Sequence, residues 1–452
     1  MFAPGCGHPN TQTVPPPPTA PVSLTVRDTA PAGITVLAFE ATMTGAVLQP
    51  GNVSLLNAPT PVELTRLQTD TAFLSTTAAR VGTYNSIALS LANPVLTIEN
   101  DSNVMFTVGN QTCSPGTVCT FTPSAAGTLS FTAASFLTLK ENIPVGLLLD
   151  INLANLINSD ASLNLSAANG MTVTQLPAQQ SVLASIEDLV GVVANVDAMH
   201  NTFVLQRAQG SLTFDVDATS KFTAFDQASP ACAAKPQNFS CVVNGQIVEV
   251  SAKLETDGAL HATTIKFQDD PGAEEAEGIV VGIGVGTPPV QFDIVVVGET
   301  SSTSTIQVGE FVRNQYVSNT IFSVDDQAAN ISGFSFATAS DLQFGQEVMV
   351  RVGAVGPGSP TIVTENRVEL RSSRFTATVS TLNGTTFVVN KLPTIFTANG
   401  ITQIVVQTSA LTEFENVNGV NGLASGDTVS VRGPLFQTAI GTVLASEVVR
   451  KR

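Results

Sequence analysis

The sequence has no tryptophan, only two tyrosines and three histidines, and only 12% charged residues in 452. It has no long apolar run. The nearest approach, PVGLLLDINLANLI from Pro144, is interrupted by Asp150 and Asn152, and a spanning helix needs about 20 apolar residues. No run of basic residues forms a stripe, and the formal net charge is −17. A chain of that sign repels nucleic acid, so nucleic-acid partners are excluded. The closing Val448-Val-Arg-Lys-Arg452 is short and reads as a solvated terminus. The near-absence of Trp and Tyr removes the side chains that usually stack on sugars. Phe, at 24 residues, falls on strand-like positions and reads as core.

Catalytic signals are equally sparse. No Gly-x-Ser-x-Gly elbow occurs. His200 sits in a turn-like Asp-Ala-Met-His-Asn, and His261 sits in a predicted strand; neither has a partner identifiable from sequence. The glycines of Val281-Gly-Ile-Gly-Val-Gly286 precede Thr-Pro-Pro and another strand. A phosphate cradle needs a helix N-terminus there, so a bulge or turn is expected. Asp325-Asp326 reads as turn chemistry. No catalytic residue, cofactor or metal ligand is assigned, and the expectation is a protein that is not an enzyme.

What fills the chain is Thr, Ser, Val, Ala, Gly and Asn, with 34 Gly and 25 Pro. β-Branched residues punctuated by turn formers favour short strands. The predicted fold is all-β: a β-sandwich over 22–180, then three small β-barrel modules over 186–267, 276–371 and 372–452. Residues 1–21 form a Pro-rich tether, extended and semi-rigid. Within the sandwich, VELTRLQTDTAFLS is expected to hold a short helical turn with Leu64 and Leu67 on one face.

The five cysteines divide as two, two and one. Cys113 and Cys119 bracket CSPGTVC, and Cys232 and Cys241 bracket CAAKPQNFSC. Each pair suits a disulfide across a loop; isolated buried thiols are the alternative. No His lies at zinc-site spacing from either pair. Disulfides imply an oxidising compartment. Cys6 then needs an explanation. Gly5 before it suits a lipidated bacterial cysteine, Ala3 and Pro4 less so, and five residues cannot make a signal peptide. A signal upstream of the present start is therefore expected, with an incidental Cys in a disordered tail as the alternative.

The three barrel modules are copies. Gly245-Gln-Ile-Val-Glu-Val250, Gly345-Gln-Glu-Val-Met-Val350 and Gly426-Asp-Thr-Val-Ser-Val431 each run from a Gly turn into alternating valines. Upstream of each stands a Thr before a Phe: Thr219 and Phe222, Thr320 and Phe322, Thr412 and Phe414. A closed barrel of about six strands is expected, since closure removes free edges, and the copies should line up as beads. Between the first two copies, QDDPGAEEAEG (268–278) reads as a solvated acidic linker. Its carboxylates lack the Asp-x-Asp-x-Asp-Gly loop of a calcium site.

Two resemblances follow from these motifs. Leu24-Thr-Val-Arg-Asp28-Thr-Ala-Pro31, Gly82-Thr-Tyr84-Asn-Ser-Ile87 and Leu147-Leu-Leu-Asp150-Ile-Asn-Leu153 make residues 22–175 resemble an uncharacterised domain family of bacterial lipoproteins. That resemblance implies a transthyretin-type or immunoglobulin-like sandwich. The barrel pattern, best in Gly191, Val193, Val196-Asp197, Phe214, Val216-Asp217, Thr219 and Gly245, resembles a second uncharacterised family, found in tandem in exported bacterial proteins. Neither family has an assigned activity. The functional expectation is an exported protein, periplasmic or cell-surface, held to a membrane through lipid on Cys6 alone. It would act in structure, adhesion or scaffolding, with an envelope protein or polysaccharide as partner. The alternatives are an extracellular ligand- or glycan-binding lipoprotein and, last, a hydrolase with a site between domains.

Overall fold

The computed structural model describes residues 17–29, 35–101, 104–108, 110–124, 127–176, 182–207, 210–224, 238–255, 258–267, 274–285, 290–299, 306–325, 332–356, 358, 360–439 and 441–452. Cys6 and Cys232 lie outside the described residues. So do Asp269, Asp270, Asp326 and much of the Pro-rich stretch.

Period-two alternation produces strands throughout. In Thr35–Gln49, Ala41 and Met43 point into the core while Glu40, Thr42 and Thr44 beside them are partly or fully exposed. The first module is a two-sheet sandwich. One sheet has the order Met171–Leu176, Val145–Asn152, Thr19–Thr29, Ala72–Arg80; the other runs Leu129–Leu139, Gly82–Glu99, Thr35–Gln49, Val53–Ser54. The first strand begins at Thr19, pairing with Arg80, so Thr19–Pro21 belong to the sandwich and not to the tether. It pairs in parallel with Val145–Asn152. An immunoglobulin constant domain pairs its first and second strands; here those strands lie in different sheets. Leu24, Phe39, Ile87, Leu96 and Leu149 are among the sandwich's core residues. Cys113 and Cys119 form a disulfide with Cα atoms 5.8 Å apart. The helical turn is present at Thr65–Gln68, with Leu64 and Leu67 buried.

Three closed five-stranded barrels follow. Their first strands are Val182–Asp197, Glu274–Ile283 and Ser372–Asn383, their fourth strands are Ile247–Glu255, Glu347–Gly356 and Thr428–Thr438, and their fifth strands are Leu260–Phe267, Thr361–Leu370 and Gly441–Ala445, the last continued by Val448–Lys451. Each closes in the order 1-2-3-5-4, strand 4 returning to strand 1, with strands 3 and 5 parallel. This Greek-key order is the OB-type barrel. Five strands rather than about six close it because the third strand is interrupted, not followed by a separate sixth. Lys221–Ala224 and Glu413–Glu415 continue the third strands begun by Gly210–Asp215 and Ile404–Gln407. In the middle barrel Phe311–Val324 is continuous with a register shift.

Two devices recur in all three barrels. The glycine entering strand 4 adopts a left-handed φ, +87° at Gly245, +79° at Gly345 and +95° at Gly426, which glycine reaches without a Cβ clash. Its N–H donates to the carbonyl of Val193, Val280 or Val379 on strand 1. The second device is a hydroxyl that spans the interruption in strand 3. Ser220, Thr320 and Thr412 accept from the N–H three residues earlier and donate to a carbonyl on strand 5, that of Ala262 or Glu365, or at the break in it, that of Ser446. In the first barrel this role falls to Ser220, not Thr219. Thr219 instead closes a local turn onto Asp217.

The modules do not form a line of beads, because the sandwich touches all three barrels. Phe73 enters the first barrel's core. Thr97 and Thr120 donate to the Gly309 carbonyl of the second. Leu37 and Ala38 pack with Phe375 and Val431 of the third. The second and third barrels meet through the stacked Phe334 and Phe436 rings, 4.7 Å between centroids. Among the described residues no helix is long and apolar enough to cross a membrane.

A Cβ on Gly345 would overlap the Phe396 ring of the third barrel, whereas one on Gly245 or Gly426 meets nothing within 4 Å. Alanine at Gly245 or Gly426 should cost roughly 1–2 kcal/mol, from the left-handed φ alone. Gly345→Ala should cost roughly 1–3 kcal/mol more through overpacking. Urea midpoints of the three variants measure the difference.

Candidate functional site

The sparse charges of this chain converge where the modules meet. Arg66 stands in the sandwich's Thr65–Gln68 turn, and Asp70 follows it. The first barrel supplies Lys266 and Glu249, and the second supplies Glu277, Asp325, Glu347 and Glu369. Arg371 stands between the second and third barrels, and Arg374, Arg432 and Glu447 come from the third. Lys266 Nζ lies 3.2 Å from Asp325 and 2.8 Å from Glu369. Arg371 reaches Asp325 and Glu249, each at 2.7 Å, and Glu277 at 3.3 Å. Glu277 passes the chain of pairs to Arg66 at 2.8 Å. Glu347 joins Arg374 at 2.6 Å, and Asp70 joins Arg374 at 2.9 Å and Arg432 at 2.6 Å. Lys266 is fully buried.

This geometry corrects three expectations. Glu275 and Glu277 are not part of a solvated linker; they are buried on the strand Glu274–Ile283. Asp325 is not mere turn chemistry, since it is buried against Lys266 and Arg371. The basic segment 448–452 is not a solvated tail. Arg450 is 2% exposed and donates to the carbonyls of Leu67, Gln68 and Thr69, at 3.2, 2.8 and 2.9 Å. Arg452 donates to the carbonyls of Asp28 and Gln68. A helical turn ends with unsatisfied carbonyls, and these arginines satisfy them from another module.

Carboxylates outnumber cations in this network, and the imbalance shows in their titration. Burial pushes Glu347 up to about 7, with neighbouring Glu277 adding to the rise against Arg374 and Arg66. Burial also raises Glu277, but Arg66, Arg371 and Arg374 outweigh it and hold that carboxyl well below its ordinary range. Asp70 behaves likewise: Arg374 and Arg432 overcome its burial. Glu275 is pushed up to about 7 by burial. Apart from the network, Glu365 inside the second barrel is pushed up to about 8 by burial alone, and both its oxygens lack partners.

Beside the network lies a cavity of about 480 Å³ walled by the sandwich and the second and third barrels. Leu37, Ile279, Phe375 and Phe396 make its apolar wall, while Asp101, Glu347, Arg374 and Lys391 supply charge. Size, position and lining suit a small organic molecule. The sequence-derived site residues lie elsewhere. Cys113 is in the sandwich core. Cys241 is disulfide-bonded, but its expected partner Cys232 is outside the described residues. His200 bonds Asp197 at 2.7 Å at an exposed hairpin tip, and His261 lies 3.8 Å from Asp217, so both have carboxylate neighbours that the sequence did not reveal. Among the described residues no group of three His, Cys, Asp or Glu is placed to hold a metal ion.

Fold and site together define a four-module all-β protein with an OB-type repeat. Residues 190–266 and 376–449, about a third of the chain, match the family described as "Domain of unknown function (DUF5666)". The two segments are the first and third barrels; the second lies outside the matched residues. No curated protein sequence matches the chain.

Two outcomes follow from the charges. Replacing Arg371 by Met removes the cation that Glu249, Glu277, Asp325 and Glu369 share, leaving Glu277 with Arg66 and Asp325 and Glu369 with Lys266, and should cost roughly 3–5 kcal/mol. The loss should be smaller at pH 5 than at pH 8, because the abandoned carboxylates can then protonate; denaturant titrations at both pH values decide it. The raised carboxyls give the second. Between the ordinary value of 4.5 and about 7 to 8, the native state binds more protons than the unfolded chain, so stability falls as pH rises through that window. The melting temperature should decline from pH 5 to pH 8. Glu365→Gln should remove part of the decline and leave the pH 5 value nearly unchanged.

Proposed function

We propose that this is a non-enzymatic scaffold of the bacterial cell envelope, exported and tethered through Cys6. The observation that carries the reading is the buried charge network joining four modules. Once formed, such a network resists hinge motion, because separating the modules would strand charges in a poorly hydrated interface. A rigid body on a Pro-rich stalk suits holding or spacing another envelope component, protein or polysaccharide.

The Cys113–Cys119 disulfide supports an oxidising compartment. A lipid chain on Cys6 would hold the protein to a membrane without a spanning segment. The 480 Å³ cavity favours a second reading, in which the envelope protein also carries a small ligand between its modules.

The test is mass spectrometry of the N-terminal peptide of the protein expressed from its own locus. The expected result is a mature chain beginning at a diacylated or triacylated Cys6 and fractionating with membranes. A peptide that retains Met1 and a free Cys6 thiol would remove the tether.

A further inference from the structure

A second cleft, of about 550 Å³, lies between the sandwich's edge strand Ala72–Arg80 and the first barrel. Its barrel wall is the hairpin of strands Thr202–Arg207 and Gly210–Asp215, together with the turn between strands 4 and 5 at Gly258. In OB-type barrels the second and third strands and the 4–5 loop are surfaces that bind oligosaccharides and oligonucleotides.

One side chain in this cleft differs from the arginines at the module junctions. Arginines at the module junctions are met by carboxylates or carbonyls. Arg207 lines the cleft with its Nε buried and unbonded. Burial lowers its pKa, and among the described residues no carboxylate forms an ion pair with it. A guanidinium with its Nε buried and no ion-pair partner among the described residues is open to an anion, and its planar fork suits carboxylate or phosphate oxygens. Around it, Ser211, Thr213 and Asp215 also face the cleft, and no hydrogen bond within the described residues occupies their side chains. Hydroxyls and a carboxylate are suited to sugar hydroxyls.

We propose that this cleft binds a short saccharide bearing a carboxylate, a uronic acid unit, with Arg207 on the acid group and Thr213 and Asp215 on ring hydroxyls. Recognition rests on charge and hydrogen bonding, not on stacking, consistent with a chain that has no tryptophan. The net charge of −17 repels dense polyanions, which selects for a ligand with few acid groups and against nucleic acid. The inference goes beyond the scaffold reading and does not depend on lipid at Cys6.

The experiment is calorimetric titration of the full chain with digalacturonate, with neutral galactobiose and inorganic phosphate as comparators. Digalacturonate should bind, weaken as salt is raised from 0.05 to 0.5 M, and exceed both comparators at least tenfold. Arg207→Met should weaken it at least tenfold while leaving the melting temperature unchanged or higher. No binding, or equal binding by Arg207→Met, overturns the proposal. Phosphate binding as tightly as digalacturonate overturns the saccharide assignment, and a drop of several degrees in the variant's melting temperature makes Arg207 structural instead. Peptide mapping of wild-type protein modified with phenylglyoxal gives an independent reading. Digalacturonate should slow modification of Arg207 several-fold, and an unchanged rate counts against the site.

Discussion

Arg371 cannot be buried unless carboxylates from two modules arrive together. Its guanidinium touches Glu249 of the first barrel and Glu277, Asp325 and Glu369 of the second. Through Glu277 the pairing continues to Arg66 of the sandwich. Desolvating any one of these ions alone would be costly; desolvated together, each offsets the others. The low charge content of the chain and the compact junction are thus two sides of one constraint. Many of its charges are committed to positions where they determine how modules sit against one another.

Within each barrel a simpler rule repeats. A left-handed glycine ties the start of strand 4 to strand 1, and a hydroxyl ties the interrupted strand 3 to strand 5. Both devices satisfy backbone groups where the ladder breaks, which is where a closed sheet would otherwise leave donors and acceptors unpaired. Side chains elsewhere on the strands can then vary between copies while closure persists. The second barrel illustrates this, having the same connectivity outside the segments that match the family.

The sequence made the local rules legible and the long-range ones invisible. Alternating valines after Gly245, Gly345 and Gly426 announce the repeat because glycine and its strand are neighbours in the chain. Leu64 and Leu67 reveal the helical turn for the same reason. Glu277 read as linker because its partner Arg66 is 211 residues away, and no spacing rule connects them. The 448–452 segment read as a tail because bare carbonyls at the end of a turn leave no mark on composition. Ser220 was passed over for Thr219 because the two hydroxyls are adjacent, and only register shows which spans the break. Arg207 carried no signal at all: its distinction is that among the described residues its buried Nε has no partner, a property of three-dimensional surroundings.

The reach of Arg450 has a consequence for how the chain matures. The carbonyls of Leu67, Gln68 and Thr69 are closed by a residue made some 380 positions later. A chain synthesised from its N-terminus therefore presents the sandwich with that turn bare until the third barrel has emerged. Contacts so distant in sequence form slowly, and exposed partial structures invite wrong pairings in the interval. The sandwich is thus completed only after a module made later, so its assembly waits on the arrival of the third barrel rather than on the folding of any one domain.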